Sequence, residues 1–255
     1  MNNKDFEQRN ETVISEMGKD VELEEVTRDW FNKASKREYS YHFTWMGIPI
    51  IQFPQDIVAL QEIIFRIKPD LIIETGIARG GSIIFSASML ELIGGDGDVL
   101  GIDIDIREHN RKEIENHPMM KRITMIEGSS TDESVINQVR KFAKNKKRVL
   151  VILDSNHTHD HVIKELRAYA PLTSRGSYCI VFDTVVEDMP IDWNWGERSW
   201  GVGDNPKTAV FQYLNEITEK DIKGSDGASL ELEIDKSIDN KLLISVAPDG
   251  YLKRA

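Results

Sequence analysis

The sequence predicts an α/β fold: a mostly parallel, seven-stranded sheet with helices on both faces. From residue 56 onward, short apolar runs alternate with segments that have helical spacing, the pattern of a parallel sheet. The runs are continuously apolar, which is typical of strands covered on both faces. Near the C-terminus a period-two pattern appears instead, which indicates an antiparallel pair at the edge of the sheet.

The strands and helices of the parallel part follow one another without a linker. The strands are predicted at 71–73, 99–104, 123–126, 149–153 and 178–182. The helices are predicted at 57–67, 82–93, 135–142 and 162–169. The first of these helices ends before Pro69, because proline cannot continue a helix.

The C-terminal part begins with a helix, and the sequence predicts where this helix starts. Asn205 is a suitable N-cap and Pro206 suits the first helical position, so a helix is expected to run to about Ile217. Residues 230–234 then alternate with period two, and residues 242–246 are apolar. We expect these two segments to pair antiparallel and close the sheet.

Residues 1–40 are polar and are predicted to form a helical N-terminal arm, while 41–255 form one domain. Leu23, Val26 and Trp30 recur at helical spacing in the arm. Such a segment needs a surface to cover, either on its own domain or on a neighbouring subunit.

Composition limits the partners and the compartment. The net charge of −11 disfavours nucleic acids and acidic membranes as partners. The single cysteine, Cys179, lies in an apolar run and is expected to be buried, with no disulfide. The first residues do not resemble a signal peptide, and no apolar run approaches the ~20 residues that span a bilayer, so a cytoplasmic protein is expected.

A glycine-rich turn follows the first strand of the sheet. It runs from Glu74 through Gly76 and Gly80 to Ser82, in the pattern E-x-G-x-x-x-G-x-S, where Gly80 and Gly81 are expected to let a ligand approach the backbone. It has neither the dinucleotide spacing G-x-G-x-x-G nor the lysine of a nucleoside triphosphate loop. Methyltransferases place such a turn under the methionine half of S-adenosylmethionine. A glycine-rich turn without any ligand is the alternative.

The turns after the next two strands carry the complementary groups. Asp103 ends the second strand, where a carboxylate can accept hydrogen bonds from both ribose hydroxyls, whereas Asp105 is interpreted as a solvated loop acid. Ser129 and Ser130 follow the third strand and are expected to face the adenine ring. Three turns in register therefore predict an S-adenosylmethionine site.

Acidic and histidine side chains follow the fourth and fifth strands. Asp154 and Asp183 are predicted on neighbouring strand ends, where they could hold Mg²⁺ beside the methyl donor, with Asp154 also closing the cofactor crevice. His157 is the candidate base that removes a proton from a substrate hydroxyl, and a loop histidine that caps or packs is the alternative interpretation. His159 and His161 are expected to serve the following helix, because no third-ligand pattern supports a zinc site.

Three tryptophans, Trp193, Trp195 and Trp200, lie in an irregular segment beside these residues. An aromatic loop next to the reactive end of the sheet indicates a lid or a wall of the substrate site. A contact between subunits is the other interpretation, and the sequence leaves both open.

Several longer motifs resemble the cephalosporin hydroxylase family and, more distantly, macrocin-type sugar O-methyltransferases. They are WMGIP at 45–49, KPDLIIETG at 68–76, LDSNHTHDHV at 153–162, GDNPKTAV at 203–210 and DGYLKR at 249–254. The resemblance implies a Rossmann-like class I methyltransferase fold, bound S-adenosylmethionine, often a divalent metal, and a homo-oligomer. It also implies an O-methyltransferase that acts on a sugar or natural-product hydroxyl.

One position departs from the family pattern. The fifth strand of the family usually ends in Glu-Asp-Thr, but here the triplet is Phe182-Asp183-Thr184. Because phenylalanine cannot bind a cation, the chain would hold Mg²⁺ through Asp154 and Asp183 only, borrow Glu187 or Asp188, or work without metal. A non-catalytic relative that binds S-adenosylmethionine is therefore a second hypothesis. An NAD-dependent oxidoreductase is a third, disfavoured by the spacing of the glycine-rich turn.

Overall fold

The computed structural model describes residues 3–194 and 196–255. Its α-helices are α1 (Asn3–Met17), α2 (Val21–Ser35), α3 (Pro54–Ile67), α4 (Gly81–Ile93), α5 (Glu108–Glu115), α6 (Glu133–Ala143), α7 (His159–Tyr169), α8 (Pro206–Glu219) and α9 (Lys236–Leu242). Its strands are β1 (Phe43–Trp45), β2 (Ile48–Ile50), β3 (Leu71–Thr75), β4 (Asp98–Asp103), β5 (Ile123–Glu127), β6 (Val149–Leu153), β7 (Tyr178–Val181), β8 (Leu232–Ile234) and β9 (Tyr251–Arg254).

Seven strands form one sheet in the order β5-β4-β3-β6-β7-β9-β8, and β1 pairs with β2 in a separate hairpin. The strands β5, β4, β3, β6 and β7 are parallel, and β9 and β8 are antiparallel additions. The chain moves outward from β3 to β5 and then returns to β6 on the other side of β3. The strand order therefore reverses between β3 and β6, the place where ligands bind in such sheets.

A hydrophobic core lies on each face of the sheet, as alternation along β3 shows. Ile72 packs on one side with residues of α3 and α4. Leu71 and Ile73 point the other way and pack with residues of α6, α7 and α8. All three side chains have no exposed surface. The α/β class, the parallel strands and the antiparallel pair at the edge are therefore confirmed.

The second strand of that edge pair is not the one predicted. The partner of β8 is β9, at 251–254, whereas 242–246 ends α9 and forms a loop. The loop binds a buried carboxylate: the Ser245 hydroxyl and the Val246 N–H donate to Asp56, at 2.6 and 2.9 Å. Satisfying this carboxylate takes the backbone group that a strand would use, so the apolar composition of the segment was misleading.

The N-terminal helices α1 and α2 lead into the β1–β2 hairpin, which packs on the start of α4. A Cβ at Gly81 would lie 2.2 Å from the Pro49 carbonyl oxygen, so the hairpin can approach α4 only at glycine. The Trp45 indole contacts Phe85 of α4 edge-on, with ring centroids 4.8 Å apart. Among the described residues, no helix is long and apolar enough to cross a membrane.

Candidate active site

The centre of the candidate site is the point where the ends of β3 and β6 meet. The Asp154 N–H donates to the Thr75 carbonyl oxygen at 2.9 Å, which joins the two strand ends. Gly76 follows with a φ of +90°, and a Cβ there would lie 2.0 Å from the Asp154 carbonyl oxygen. Only glycine therefore allows the glycine-rich turn to pass this close to Asp154.

Glu74 and Ser82, the ends of the glycine-rich motif, meet inside the protein. The Ser82 hydroxyl donates to one oxygen of the Glu74 carboxyl group, whose other oxygen is buried and has no partner among the described residues. Burial raises the pKa of Glu74 to about 7, and the hydrogen bond from Ser82 opposes this shift in part. An orphaned acceptor of this kind fits a site whose donor comes from a ligand.

Asp103 joins the second strand end to the same turn. One oxygen of its carboxylate accepts the Ile77 and Ala78 N–H groups at 2.8 and 3.0 Å, and the other accepts the Asp105 N–H at 3.1 Å. The structure thus gives Asp103 a role in holding the turn. The hydrogen bonds predicted between the Asp103 carboxylate and the ribose hydroxyls are compatible with this role and stay a prediction.

At two further glycine positions, the structure leaves no room for a side chain, which the sequence did not reveal. A Cβ at Gly80 would lie 2.5 Å from the side chain of Ile114 in α5, and Gly81 faces the β1–β2 hairpin. Both were predicted to let a ligand approach the backbone. The structure explains them by packing against protein, so they are weaker evidence for a ligand than the sequence suggested.

The turn after β5 is tied to the loop after β6 by a hydrogen-bond network. The Ser130 and Ser155 hydroxyls lie 3.0 and 3.1 Å from Nε2 of His161, and Ser155 donates to the fully buried Glu165 at 2.7 Å. The Ser129 hydroxyl lies 3.0 Å from that of Thr131. The predicted adenine-facing serines thus line the same strand-end edge, with their hydroxyls already engaged.

Asp154, His157 and Asp183 come together at the reactive end of this edge. One ligand atom from each lies within 4.8 Å of the others, and Nε2 of His157 is 3.3 Å from Oδ2 of Asp183. Burial raises the pKa of Asp154 well above its usual range, and the nearby Asp183 and Glu74 carboxylates add to the shift. A divalent cation would relieve this repulsion, so the donor set fits a metal.

Gln52 is a site residue that the sequence analysis missed. Its side-chain N–H donates to Oδ2 of Asp154 at 3.1 Å, from the segment between β2 and α3. Only 6% of Gln52 is exposed, although glutamine is usually a surface residue. No local pattern marks it, because its partner lies 102 residues away in the chain.

The matching family model, described as rhamnosyl O-methyltransferase/CmcI, covers residues 37–255. The chain belongs to this family. Membership confirms the predicted resemblance and makes the protein an S-adenosylmethionine-dependent methyltransferase. Rhamnosyl O-methyltransferases of Mycobacterium tuberculosis and Mycobacterium leprae are each 29% identical to it, over 83% of this chain and 78% and 82% of theirs.

Solved structures agree with the fold. A structure of CmcI with Mg and SAM matches 84% of this chain and 77% of its own, with a TM-score of 0.57 and 20% identity. An O-methyltransferase from Bacillus cereus in complex with SAH matches 82% of this chain and 88% of its own, with a TM-score of 0.50 and 16% identity. At these identities the likeness shows the class I methyltransferase fold.

Within the family fold, Phe182 is part of the hydrophobic core and only 3% exposed. The two acids proposed to replace its missing ligand are engaged elsewhere. Glu187 accepts hydrogen bonds from the Gly203 N–H at 2.7 Å and from the side chain of Asn205, and Asp188 pairs with Lys207 at 2.5 Å. Both carboxylates are therefore held at the start of α8, and neither belongs to the group formed by Asp154, His157 and Asp183.

Trp200 brings the tryptophan segment of this methyltransferase into contact with the site. The Trp200 ring meets the His157 imidazole edge-on, with centroids 4.8 Å apart. Trp193 packs against the core beside Lys36, and Trp195 lies outside the described residues. His159 was expected to serve the helix that follows it, but its ring turns toward α8, where the two nitrogens meet Thr208 and Gln212 at 2.8 and 2.9 Å.

Proposed function

We propose that the protein transfers the methyl group of S-adenosylmethionine to a hydroxyl group of a sugar or a sugar-bearing natural product. The observation that carries this proposal is the group of Asp154, His157 and Asp183 at the end of the cofactor crevice. The family name and the names of the mycobacterial relatives support a sugar hydroxyl as acceptor. The cofactor crevice would be lined by Glu74, Gly76, Gly80, Ser82, Asp103, Ser129, Ser130 and Asp154.

Asp154 and Asp183 would hold Mg²⁺, because this ion prefers oxygen ligands and keeps several waters. Bound there, the ion would lower the pKa of the acceptor hydroxyl. Gln52 holds one oxygen of Asp154 by its hydrogen bond, which fixes the carboxylate in the loop. Phe182 supplies no ligand, so the site depends on fewer acids than the family pattern provides.

His157 would be the base. The acceptor hydroxyl gives its proton to the imidazole as its oxygen forms a bond with the methyl carbon, and the bond from that carbon to the sulfonium sulfur breaks. S-adenosylhomocysteine leaves as a neutral thioether. Asp183 lies 3.3 Å from the imidazole and would stabilise its protonated form, while Trp200 restricts the ring by packing against it edge-on.

The test compares His157→Ala with His109→Ala, a change at an exposed histidine on α5. We expect His157→Ala to lose at least about 100-fold in methyl transfer to a panel of rhamnosides, with S-adenosylhomocysteine and Mg²⁺ affinities retained. The control should keep wild-type activity. Loss of Mg²⁺ affinity would make His157 a ligand instead of a base. Cofactor binding with no turnover by wild type on any glycoside would favour a non-catalytic role.

We also propose that residues 1–40 act as an arm through which two copies associate. Val21 and Val26 of α2 are 66% and 62% exposed, and Phe6 of α1 is 53% exposed, which leaves apolar surface without cover in one chain. Light scattering of the full chain should give a mass above that of a monomer. Val21→Lys with Val26→Lys should reduce that mass, and an unchanged mass would contradict the proposal.

A further inference from the structure

A groove of about 670 Å³ lies at the end of the sheet opposite the candidate active site. Val149, the first residue of β6, lines it, whereas Asp154 follows the last residue of that strand. A strand of this length spans roughly 16 Å, so the two sites are separate. The groove has the volume of sites that bind small molecules.

The groove is positively charged, although the chain as a whole is negatively charged. Seven of its lining residues are lysine or arginine and one is acidic, although the protein carries a net charge of −11. Acids pair with part of this charge: Lys146 with Asp98 at 2.6 Å, and Arg175 and Arg254 with Asp226 at 3.5 and 2.7 Å.

Even with every pairing acid counted, positive charge remains. Lys223 pairs with Asp221 at 2.8 Å and Arg140 with Glu133 at 3.5 Å, which leaves a net charge of about +3. Lys144 and Lys147 supply much of this charge, because neither ammonium group is in an ion pair among the described residues. The Asp70 carboxylate lies nearby, but it accepts the backbone N–H groups of Lys147 and Arg148 at 3.0 and 2.9 Å.

Hydrogen bonds and close packing fix the residues that form the walls of the groove. Arg254 is 1% exposed and donates to the Thr173 carbonyl oxygen at 2.6 Å, and its Nε is buried without a partner among the described residues. Gly224 lies against its guanidinium group, where a Cβ would be 2.5 Å away. The Ser225 N–H donates to the Pro171 carbonyl oxygen at 2.7 Å, which anchors the facing loop. The positive surface is therefore concave and ordered.

We propose that this groove binds a small molecule with two or more phosphate groups. Three uncompensated positive charges match a diphosphate or triphosphate better than a single carboxylate. Lysine ammonium groups such as those of Lys144 and Lys147 are compact donors that suit phosphate oxygens. The groove lies away from the cofactor crevice, so the ligand would bind together with S-adenosylmethionine.

The experiment is calorimetric titration of the full chain with inorganic tripolyphosphate, at about 50 mM salt and without Mg²⁺. We expect saturable binding of one tripolyphosphate per chain, unaffected by saturating S-adenosylhomocysteine. Lys144→Glu with Lys147→Glu should weaken it at least about tenfold. Lys19→Glu with Lys112→Glu, at two exposed lysines elsewhere, makes the same change in net charge and should alter affinity less than about twofold.

Three outcomes would overturn the proposal. One is no binding of tripolyphosphate at about 1 mM, and another is equal weakening in the two double variants, which would indicate a general charge effect. The third is binding of single-stranded RNA or phosphatidylglycerol vesicles through Lys144 and Lys147 without binding of tripolyphosphate. Circular dichroism melting of each variant separates a loss of binding from a loss of fold.

Discussion

Replacing Gly76 by alanine tests whether the glycine-rich turn and Asp154 form one crevice. The new Cβ would lie 2.0 Å from the Asp154 carbonyl oxygen, and an ordinary contact begins at 3.4 Å, so the two loops must separate by about 1.4 Å. The φ of +90° adds backbone strain of about 1–2 kcal/mol. Overpacking of this kind costs a further ~1–3 kcal/mol. The free energy of unfolding should therefore fall by about 2–5 kcal/mol.

Gly95→Ala is the matched control for this change. Gly95 also has a positive φ, of +84°, but a Cβ there would meet nothing within 4 Å. This variant should lose only the strain of about 1–2 kcal/mol and keep its affinity for S-adenosylhomocysteine. Gly76→Ala should bind S-adenosylhomocysteine at least about tenfold more weakly, since the loops that hold it move apart. Denaturant unfolding measures the free energy of unfolding of each variant, and calorimetry measures its affinity for S-adenosylhomocysteine. Equal stability and affinity in the two variants would refute the reasoning.

Three further changes test other parts of the structure. Asp103→Ala should weaken S-adenosylhomocysteine binding by about 1–3 kcal/mol in calorimetry, because it frees two N–H groups of the turn and leaves the ribose unpaired; unchanged affinity would place the ribose contact elsewhere. Asp183→Asn should lower Mg²⁺ affinity at least about tenfold with the melting temperature kept, and retained affinity would exclude Asp183 as a ligand. Asp56→Asn tests a buried carboxyl whose pKa rises from 3.8 to about 6 by burial. The folded state then binds this proton more tightly than the unfolded chain. Wild type should therefore lose up to ~3 kcal/mol relative to Asp56→Asn as pH rises from about 4 to 7, and parallel unfolding curves would contradict this.

Much of the fold is local and could be read from the sequence. The strands of the parallel sheet were predicted to within a few residues, because burial on both faces demands continuous apolar runs. The helices α3, α4, α6 and α7 were also predicted, whereas α5, which buries only Asn110 and Ile114, was missed. The cap at Asn205 places the start of α8 correctly, with the Asn205 side chain accepting from the N–H groups of Lys207 and Thr208. Turns that follow parallel strands share one edge, so the position of the candidate site also followed from the order of the elements.

Other features depend on contacts between distant segments. The apolar run 242–246 has the composition of a strand, but Asp56 takes its backbone and hydroxyl donors, and β9 fills the sheet instead. Gln52, in the segment between β2 and α3, reaches Asp154 from 102 residues away in the chain. The sequence offers Glu187 and Asp188 as possible metal ligands, but in the structure they bind Gly203 and Lys207 at the start of α8. The sequence by itself determined the strands of the parallel sheet, most of the helices between them, and the edge of the sheet at which the polar side chains gather. Only the tertiary structure decided which polar groups are already satisfied, because a hydrogen bond depends on the positions of both partners and a sequence pattern specifies only one.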